Sequence, residues 1–487
     1  MDLFELTSSG VVVRDLDIEP AGPDGTGFNT GLLIITGSGF LTASGSVVNN
    51  DILQIGEGGG FGTSGNLAVG GNLDNNATFD HLQGIVRFDG GASQTARGSL
   101  GSNNPLDQVE ISGQNTDVTF ATSVQIDNTL IIDATNVGAS DPVLTLQDDL
   151  DLNGPLTVND GAKIDLDDGT NGSGTLNVAS SVSLDGIFTP GSETIVFDGS
   201  SNQSLTGTPD GGTSFAGFEV SNGNTVTLDI DDSNVTPLTI GTLGGSDGNL
   251  TIGNPNNVSV DAEGAVPGNL TVNSGNTLTL TGGLDVAGDF TVDGAYDATT
   301  NSATTTFDGS AAQEVKGTPS SLSFQGFNIG NDVTLDFDNS STGTITIPSL
   351  GGNGGNLIIG GGNFDVSVDA KGTVPGDLTI SSGNTLALTG RLTIGVGDTG
   401  GTLTNNGTLT GNGNTLRLDG DNNQSVSGSS FRIGRIEVRD NNNSRSVTLG
   451  ADLTVEGDVV VDDPTTATST LTFDGGRRRH CGREMMA

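Results

Sequence analysis

The sequence predicts an all-β protein: a right-handed parallel β-helix, or β-solenoid, that forms a single elongated rod. Three observations predict it. Val, Leu and Ile alternate with polar residues over short runs such as 278–280 and 453–455, and this period of two is typical of a strand with one buried face. Asn-Gly, Asp-Gly and Gly-Gly dipeptides separate the runs and favour tight turns. A long internal repeat indicates a stacked architecture.

The repeat is clearest in a Phe-Asp-Gly phrase, which is Leu-Asp-Gly in one copy, with a Gln six places and a Gly ten places after its first residue. The four copies supply the pairs Phe88 and Gln94, Phe197 and Gln203, Phe307 and Gln313, and Leu418 and Gln424. These lead positions are 109, 110 and 111 residues apart, and residues 258–284 match 366–392 at 20 of 27 positions without a gap. The super-repeat of about 110 residues fits several coils of roughly 18–25 residues each.

The spacing of a further copy indicates an open stack. Another Phe-Asp-Gly begins at Phe473, only 55 residues after Leu418, so a middle segment is missing there. A closed barrel tolerates such a loss poorly because closure fixes the number of strands, whereas each coil of a solenoid contacts only its neighbours. We expect residues 1–60 to form an N-terminal β-rich segment with the first coils, and residues 61–476 to form the β-solenoid with its super-repeats.

Residues 477–487 form an atypical basic tail. They contain four of the 16 basic residues and the only Cys, Cys481. The repeat predicts Gln at position 479 and Gly at position 483, where the chain has Arg479 and Arg483. A frameshifted or truncated coding end explains this tail better than a segment that binds a polyanion. We therefore expect that it is not native repeat and that the natural protein is longer.

Each residue of the repeated phrase has an expected structural role. The lead Phe or Leu ends an alternating run and should point inward, while Asp-Gly should form the turn. The later Gly predicts a positive φ or a close backbone approach. The Gln amide both donates and accepts, so it can satisfy backbone groups at a corner. The alternative for the Gln is a ligand contact repeated along the rod.

The charge of the chain restricts its partners. The formal net charge is −43, and 48 of the 59 acidic residues are Asp. This bias indicates turn chemistry, because Asp hydrogen-bonds its own backbone in turns. Strong acidity with only three Lys is also typical of proteins from high-salt habitats. An acidic surface repels phosphate backbones, so we expect no nucleic-acid partner.

The sequence contains no visible signal for export or membrane insertion. The first five residues have no basic start, and no apolar stretch of signal-peptide length follows them. No run approaches the roughly 18 apolar residues of a membrane helix, so we expect no transmembrane segment. A single Cys supplies neither a disulfide framework nor a Cys-based metal site.

We predict no catalytic residues, no cofactor and no enzymatic activity. His81 is the only His of the body, Tyr296 is the only Tyr, and Lys and Arg are sparse. The many Asp pairs therefore lack the basic and aromatic partners that a polysaccharide-cleaving β-helix needs.

One pattern is that of a metal site. Asp149, Asp151, Asn153 and Asp160 are spaced like ligands of an EF-hand loop, with Asp in place of the final Glu. The flanking residues are strand-like rather than helical, and chance agreement is the simpler explanation in a chain so rich in Asp. Weak Ca²⁺ binding by these residues stays open.

The four Phe-Asp-Gly or Leu-Asp-Gly copies, together with runs such as 268–282 (GNLTVNSGNTLTLTG), resemble the β-helical repeat regions of large bacterial surface proteins, such as autotransporter passengers and filamentous-haemagglutinin-like adhesins. The resemblance covers roughly residues 60–475. It implies export and an extracellular or cell-surface location. It also implies a non-enzymatic structural or adhesive role within a larger chain, with a host or environmental surface, a glycan or a neighbouring envelope protein as partner.

The alternative hypothesis is a carbohydrate-active β-helix enzyme, similar to a polysaccharide lyase or hydrolase. The two hypotheses differ in one structural feature. An enzyme should have a groove in which carboxylates meet Arg, Lys or aromatic side chains, whereas a structural rod should have similar faces along its length.

Overall fold

The computed structural model is built almost entirely of short β-strands. The structure describes residues 2–6, 11–13, 16–18, 31–35, 40–50, 52–55, 65–81, 84–134, 142–166, 174–189, 191–211, 213–231, 237–253, 257–397, 401–439, 446–462 and 470–473. The basic tail at 477–487 and parts of 1–60 lie outside these ranges. Contacts divide the chain into two compact units, one of residues 1–248 and 254–260 and the other of residues 249–253 and 261–487.

Most strands are three to five residues long, as expected for a chain interrupted by frequent turn dipeptides. Strands β1 to β27 are Asp2–Leu6, Val11–Val13, Leu16–Ile18, Gly31–Ile35, Phe40–Ala43, Val47–Asn49, Ile52–Ile55, Asn66–Val69, Leu73–Asn75, Thr78–His81, Ile85–Phe88, Gln94–Gly98, Leu106–Ser112, Asp117–Phe120, Val124–Asp133, Val143–Leu146, Leu150–Leu152, Leu156–Val158, Lys163–Asp165, Leu176–Val178, Val182–Leu184, Ile187–Thr189, Thr194–Phe197, Gln203–Gly207, Ser214–Val220, Thr225–Ile230 and Leu238–Gly245.

Strands β28 to β53 are Asn249–Ile252, Ser259–Val266, Leu270–Val272, Thr277–Val286, Phe290–Val292, Ala295–Asp297, Thr304–Phe307, Gln313–Gly317, Ser321–Ser323, Gly326–Ile329, Val333–Phe337, Ile345–Gly352, Leu357–Ile359, Ser367–Val374, Leu378–Ile380, Thr385–Gly397, Leu403–Asn405, Thr408–Thr410, Thr415–Gly420, Gln424–Gly428, Phe431–Ile433, Arg435–Arg439, Ser446–Leu449, Leu453–Val455, Val459–Asp462 and Thr470–Phe473. A 3-10 segment at Thr300–Ser302 is the one helical element among the described residues. The part of the chain that the structure describes has no helix with the length and apolar character that crossing a membrane requires.

The strands form a parallel β-solenoid, which confirms the predicted fold class. In the first unit, one inward column is formed by Gln94, Val118, Leu144, Ile164 and Phe188, each paired with the next through parallel strands. The steps along this column are 24, 26, 20 and 24 residues, close to the coil length expected from the sequence. Each strand therefore pairs with a strand one turn away along the chain.

Stacked aliphatic and aromatic side chains fill the interior of each unit. Burial alternates along strands such as β23 and β34, which end at lead residues of the repeat. The lead residues Phe88, Phe197, Phe307 and Leu418 are all 0% exposed. The Phe197 ring lies 5.0 Å from that of Phe218, and the Phe307 ring lies 4.8 Å from that of Phe327. Burial of one such side chain stabilises the fold by about 1.5–3 kcal/mol, so the small core is strengthened at regular intervals.

The last Gly of the repeated phrase has the conformation that the sequence predicts. Its φ is +97° at Gly98, +118° at Gly207, +117° at Gly317 and +98° at Gly428. A Cβ on Gly207 would lie 2.2 Å from the Leu184 carbonyl oxygen, and one on Gly317 would lie 2.3 Å from that of Val292. The predictions of a positive φ and of a close backbone approach are therefore both confirmed. Only Gly meets both conditions, since any Cβ is disfavoured there by the backbone dihedral and by the neighbouring turn.

We predict that Gly207→Ala lowers the free energy of unfolding by at least about 2 kcal/mol, because left-handed strain and a backbone clash act together. Urea unfolding followed by circular dichroism measures the change. Gly101→Ala in the same unit is the matched control, since the nearest atom to the place its new methyl group would occupy is 4.0 Å away. Equal stability of the two variants would contradict the prediction.

Candidate functional site

The Gln of the repeated phrase joins two successive turns. The Gln203 Nε2 donates to the carbonyl oxygens of Val178 and Ser180, at 2.7 Å each, and its Oε1 accepts from the Gly199 amide at 2.9 Å. The same two-carbonyl arrangement occurs for Gln94 with Val69 and Gly71, for Gln313 with Val286 and Gly288, and for Gln424 with Ile394 and Gly401. We call these four side chains the Gln clamps.

The clamped carbonyls belong to the turn directly before the repeated phrase. Strand β8 pairs with β11, so Val69 stacks on Phe88, and strand β31 pairs with β34, so Val286 stacks on Phe307. The chain turns just after these residues, and the backbone bonds to their carbonyls are long. The Val69 carbonyl accepts the Asp89 amide at 3.4 Å, and the Val178 carbonyl accepts the Asp198 amide at 3.2 Å. A buried carbonyl needs a good donor, and the clamp amide supplies a closer one at 2.7 Å.

The Gln clamps are closed to ligands. Gln94, Gln203, Gln313 and Gln424 are 1%, 4%, 3% and 2% exposed. In Gln94, Gln203 and Gln313 both the NH2 group and the oxygen of the amide are bonded to backbone. This geometry supports the structural role of the Gln over a repeated ligand contact.

Short polar side chains connect turns at other corners. In the second unit, Asp332 Oδ1 accepts the Asn356 amide at 2.9 Å, Asn356 Oδ1 accepts the Asp377 amide at 2.6 Å, and Asp377 Oδ1 accepts the Thr402 amide at 2.6 Å. Asn249, Asn269 and Asp289 form a similar series. A side chain of this length holds its oxygen close to its own backbone, which explains why Asp and Asn are favoured over Glu and Gln at such corners.

The residues of the EF-hand-like pattern contact neighbouring turns. Asp149 Oδ1 accepts the Thr175 amide at 2.8 Å, and Asn153 Nδ2 donates to Asp127 at 2.9 Å. Asp160 follows the next strand, β18. Within the described ranges, no three Asp, Glu, His or Cys residues form a group suited to a metal ion. The Ca²⁺ pattern therefore stays a prediction from spacing.

The structure instead brings carboxylates of different turns near one another. Burial raises the pKa of Asp151, and the charges of Asp198 and Asp127 raise it further. Burial also raises the pKa of Asp198. These like charges weaken the native state while they are ionised, which is the opposite of what a bound cation or a salt bridge would do.

Basic residues are dispersed among separate ion pairs. In the described part of the chain, the pairs include Arg87 with Glu110, Arg97 with Asp74, Lys163 with Asp165, Lys316 with Asp289 and Glu314, Arg417 with Asp419, Arg432 with Glu456, and Arg435 with Glu437. Most are partly exposed, and such pairs contribute about 0–1 kcal/mol each. Arg417 and Arg435 lie on the adjacent strands β46 and β49, where Arg417 is in register with Glu437, and the other pairs are distributed along both units.

A concave site in the second unit combines an aromatic ring with carboxylates. We call it the Phe364 groove; it has a volume of about 480 Å³ and is lined by Asp338, Asn339, Ser340, Gly362, Asn363, Phe364, Asp365, Ser382 and Asn384. Phe364 is partly exposed, whereas the rings of Phe307, Phe327 and Phe337 in the same unit are buried. An aromatic ring among converging polar groups is typical of a ligand site.

A buried carboxylate holds one wall of this groove. Asp336 is 1% exposed. It accepts hydrogen bonds from the Asn363 amide at 3.2 Å, the Asn363 side chain at 2.6 Å and the Phe364 amide at 3.1 Å. A desolvated carboxylate needs several such donors, so it fixes the segment that presents the Phe364 ring.

The lining of the groove also includes an ionised carboxylate, Asp338. The Ser340 amide donates to Asp338 Oδ1 at 2.8 Å. This bond and the one from the Ser340 hydroxyl lower the pKa of Asp338 below its usual value. Asp338 is therefore a hydrogen-bond acceptor at neutral pH.

A second concavity of about 480 Å³ is lined by the residues that follow, Ser341, Thr342 and Thr344, and is rich in Ser and Thr.

The sequence did not single out Phe364, Asp336 or Asp338 in advance. Residues 333–352 align with 226–245, and this preserves the positions of both Asp residues. The next segment of the sequence differs between the copies: 360–365 (GGGNFD) is one residue longer than 253–257 (GNPNN), and only the longer one contains Phe. A comparison of the repeat copies could have found this site, because Phe364 lies where the two copies differ. The residues that the copies share identify only the scaffold.

The chain matches no protein-family model, no curated protein and no solved structure. Its functional interpretation therefore depends on its own sequence and geometry.

We predict that Gln203→Leu lowers the free energy of unfolding by about 2–4 kcal/mol, because two carbonyls and one amide lose a partner in a buried corner. Thermal and urea unfolding measure the change. Ser200→Ala, at an exposed position of the same turn, is the control and should be nearly neutral. A Gln203→Leu protein as stable as this control would show that the clamp is dispensable.

We predict that Asp151→Asn raises stability at pH 7 by less than about 1 kcal/mol. The raised pKa of Asp151 means that the native protein binds this proton more tightly than the unfolded chain does. In the wild type, the contribution of protonated Asp151 to the free energy of unfolding is complete below the ordinary pKa of 3.8. This contribution is lost as the pH rises through the higher native pKa. Thermal melts from pH 3.5 upward should show the advantage of the variant appearing over that window. Asp117→Asn, an exposed change of equal charge, is the control, and an equal gain there would oppose this account.

Proposed function

We propose that this protein is a non-enzymatic structural and adhesive repeat protein of the cell surface or the extracellular space. The observation that supports the proposal is that the repeated residues have structural roles inside the scaffold. The Phe and Gln of the repeated phrase are buried and hold one turn to the next, so the repeat preserves a β-helical scaffold. A scaffold that can be extended turn by turn presents a large surface, which suits structural and adhesive roles.

The proposed location and partners follow from the resemblance of the repeat phrases to bacterial surface adhesins. The partner is a host or environmental surface, a glycan or a neighbouring envelope protein. The charge of −43 favours neutral or cationic partners and disfavours polyanions.

A carbohydrate-active enzyme is the second candidate, and the Phe364 groove is the observation that favours it, since Asp338 and Asp365 share the groove with an aromatic ring. A glycosidase needs a general acid with a raised pKa. The pKa of Asp338 is lowered, which suits an acceptor rather than an acid. The lowered pKa therefore disfavours Asp338 as the general acid, whereas the base or nucleophile of a glycosidase is ionised.

We predict that the full chain releases no reducing ends and no unsaturated products from a panel of neutral and acidic polysaccharides. Products that disappear in the Asp338→Asn and Asp365→Asn variants would establish the enzyme instead.

We also predict that beads coated with the full chain are retained on polysaccharide-coated or cell-covered surfaces more strongly than beads coated with an unrelated protein of similar net charge. Equal retention would contradict the adhesive role.

A further inference from the structure

We propose that the Phe364 groove binds one sugar residue of a neutral glycan. This inference rests on the proposed adhesive function and deepens it by naming the ligand class and the site. The apolar face of a sugar ring packs on Phe364, while the sugar hydroxyls donate to the carboxylates of Asp338 and Asp365, which line the same groove. Ser382, which is exposed, adds a hydroxyl group that both donates and accepts.

The charges of the groove select against anionic sugars. Asp338 is ionised at neutral pH, Asp365 adds a second carboxylate, and the whole chain is strongly acidic. A uronate or sulfated sugar would bring a further negative charge against these groups, and like charges at close range repel one another. Hydroxyl groups are instead complementary to carboxylates, because an ionised carboxylate can only accept.

The groove is held in place before a ligand arrives. The three hydrogen bonds to the buried Asp336 fix the segment at 363–364, and the Asn384 side chain accepts the amide of Val366, two residues further on, at 2.6 Å. A fixed wall lowers the ordering cost of binding. Asp336 is therefore a positioning residue, and Phe364, Asp338 and Asp365 are the contact residues.

The neighbouring concavity provides room for a second sugar residue. It is lined by hydroxyl groups, including those of Ser321, Ser323, Thr344 and Thr346. Loop 338–344 contributes to both concavities, with Asp338 and Ser340 in one and Ser341, Thr342 and Thr344 in the other. This arrangement predicts a preference for oligosaccharides over monosaccharides.

The internal repeat supplies a matched control. Phe364 precedes the shared sequence VSVDA by two residues, and the equivalent residue of the previous copy is Asn256. Phe364→Asn therefore replaces the ring with a residue that the repeat uses at this place, without changing the charge. Phe364→Tyr keeps an aromatic ring.

Saturation-transfer NMR and calorimetry on the full chain test the proposal, with maltohexaose, cellohexaose and mannohexaose as neutral probes and hexagalacturonate as the acidic one. We expect at least one neutral probe to bind. We expect Phe364→Asn to weaken that binding about tenfold or more, as for a central aromatic contact, and Phe364→Tyr to retain it. Asp338→Asn and Asp365→Asn should each weaken it. Melting temperatures establish that the variants are folded.

Three results would overturn the site: no binding of any neutral probe, equal binding by Phe364→Asn, or a preference for hexagalacturonate. The bead assay separates this failure from failure of the proposed function. Retention of coated beads by wild type and Phe364→Asn alike would leave the adhesive role standing and reject this groove as its site.

Discussion

The structure depends on satisfying buried backbone groups at corners, where the chain leaves one strand ladder and enters the next. Within strands the parallel ladder pairs amides with carbonyls. At corners some backbone bonds are long, such as that from the Asp89 amide to the Val69 carbonyl at 3.4 Å, and a buried group left unpaired costs about as much as a hydrogen bond gained elsewhere. Gln203 and its three counterparts solve this problem once in each super-repeat. The series from Asp332 to Thr402 solves it at other corners with shorter side chains.

This constraint also accounts for the unusual composition. Gly is abundant, at 79 residues, because positions such as Gly207 combine a positive φ with contact to the adjacent turn. Asp exceeds Glu because its oxygen reaches the amide of the next turn without a long flexible arm. The aliphatic content is low because the interior of each turn is narrow and one inward residue in two is enough to fill it. The geometry of the corners thus accounts for the high Gly and Asp content of the chain.

The sequence predicted the scaffold well and the candidate site poorly, for a physical reason. Alternation, turn dipeptides and spacing are local signals, and they led to the parallel solenoid and to the positive φ of Gly207. The EF-hand-like spacing at Asp149 was also local, but the actual partners of Asp149 and Asn153 lie on neighbouring turns. The Phe364 groove depends on which loops become neighbours after coiling and on one buried carboxylate, Asp336, that holds them. The spacing of residues along the chain does not predict which loops form this groove.

The crowding of Asp127, Asp151 and Asp198 has a consequence for the medium in which the protein works. Every additional super-repeat lengthens the scaffold and also adds carboxylates with few cations to offset them. Dissolved salt then reduces the repulsion between carboxylates on separate turns, since it screens exposed charges that are more than about 8–10 Å apart. We expect the chain to behave as a polyelectrolyte that is more compact at high ionic strength than at low ionic strength.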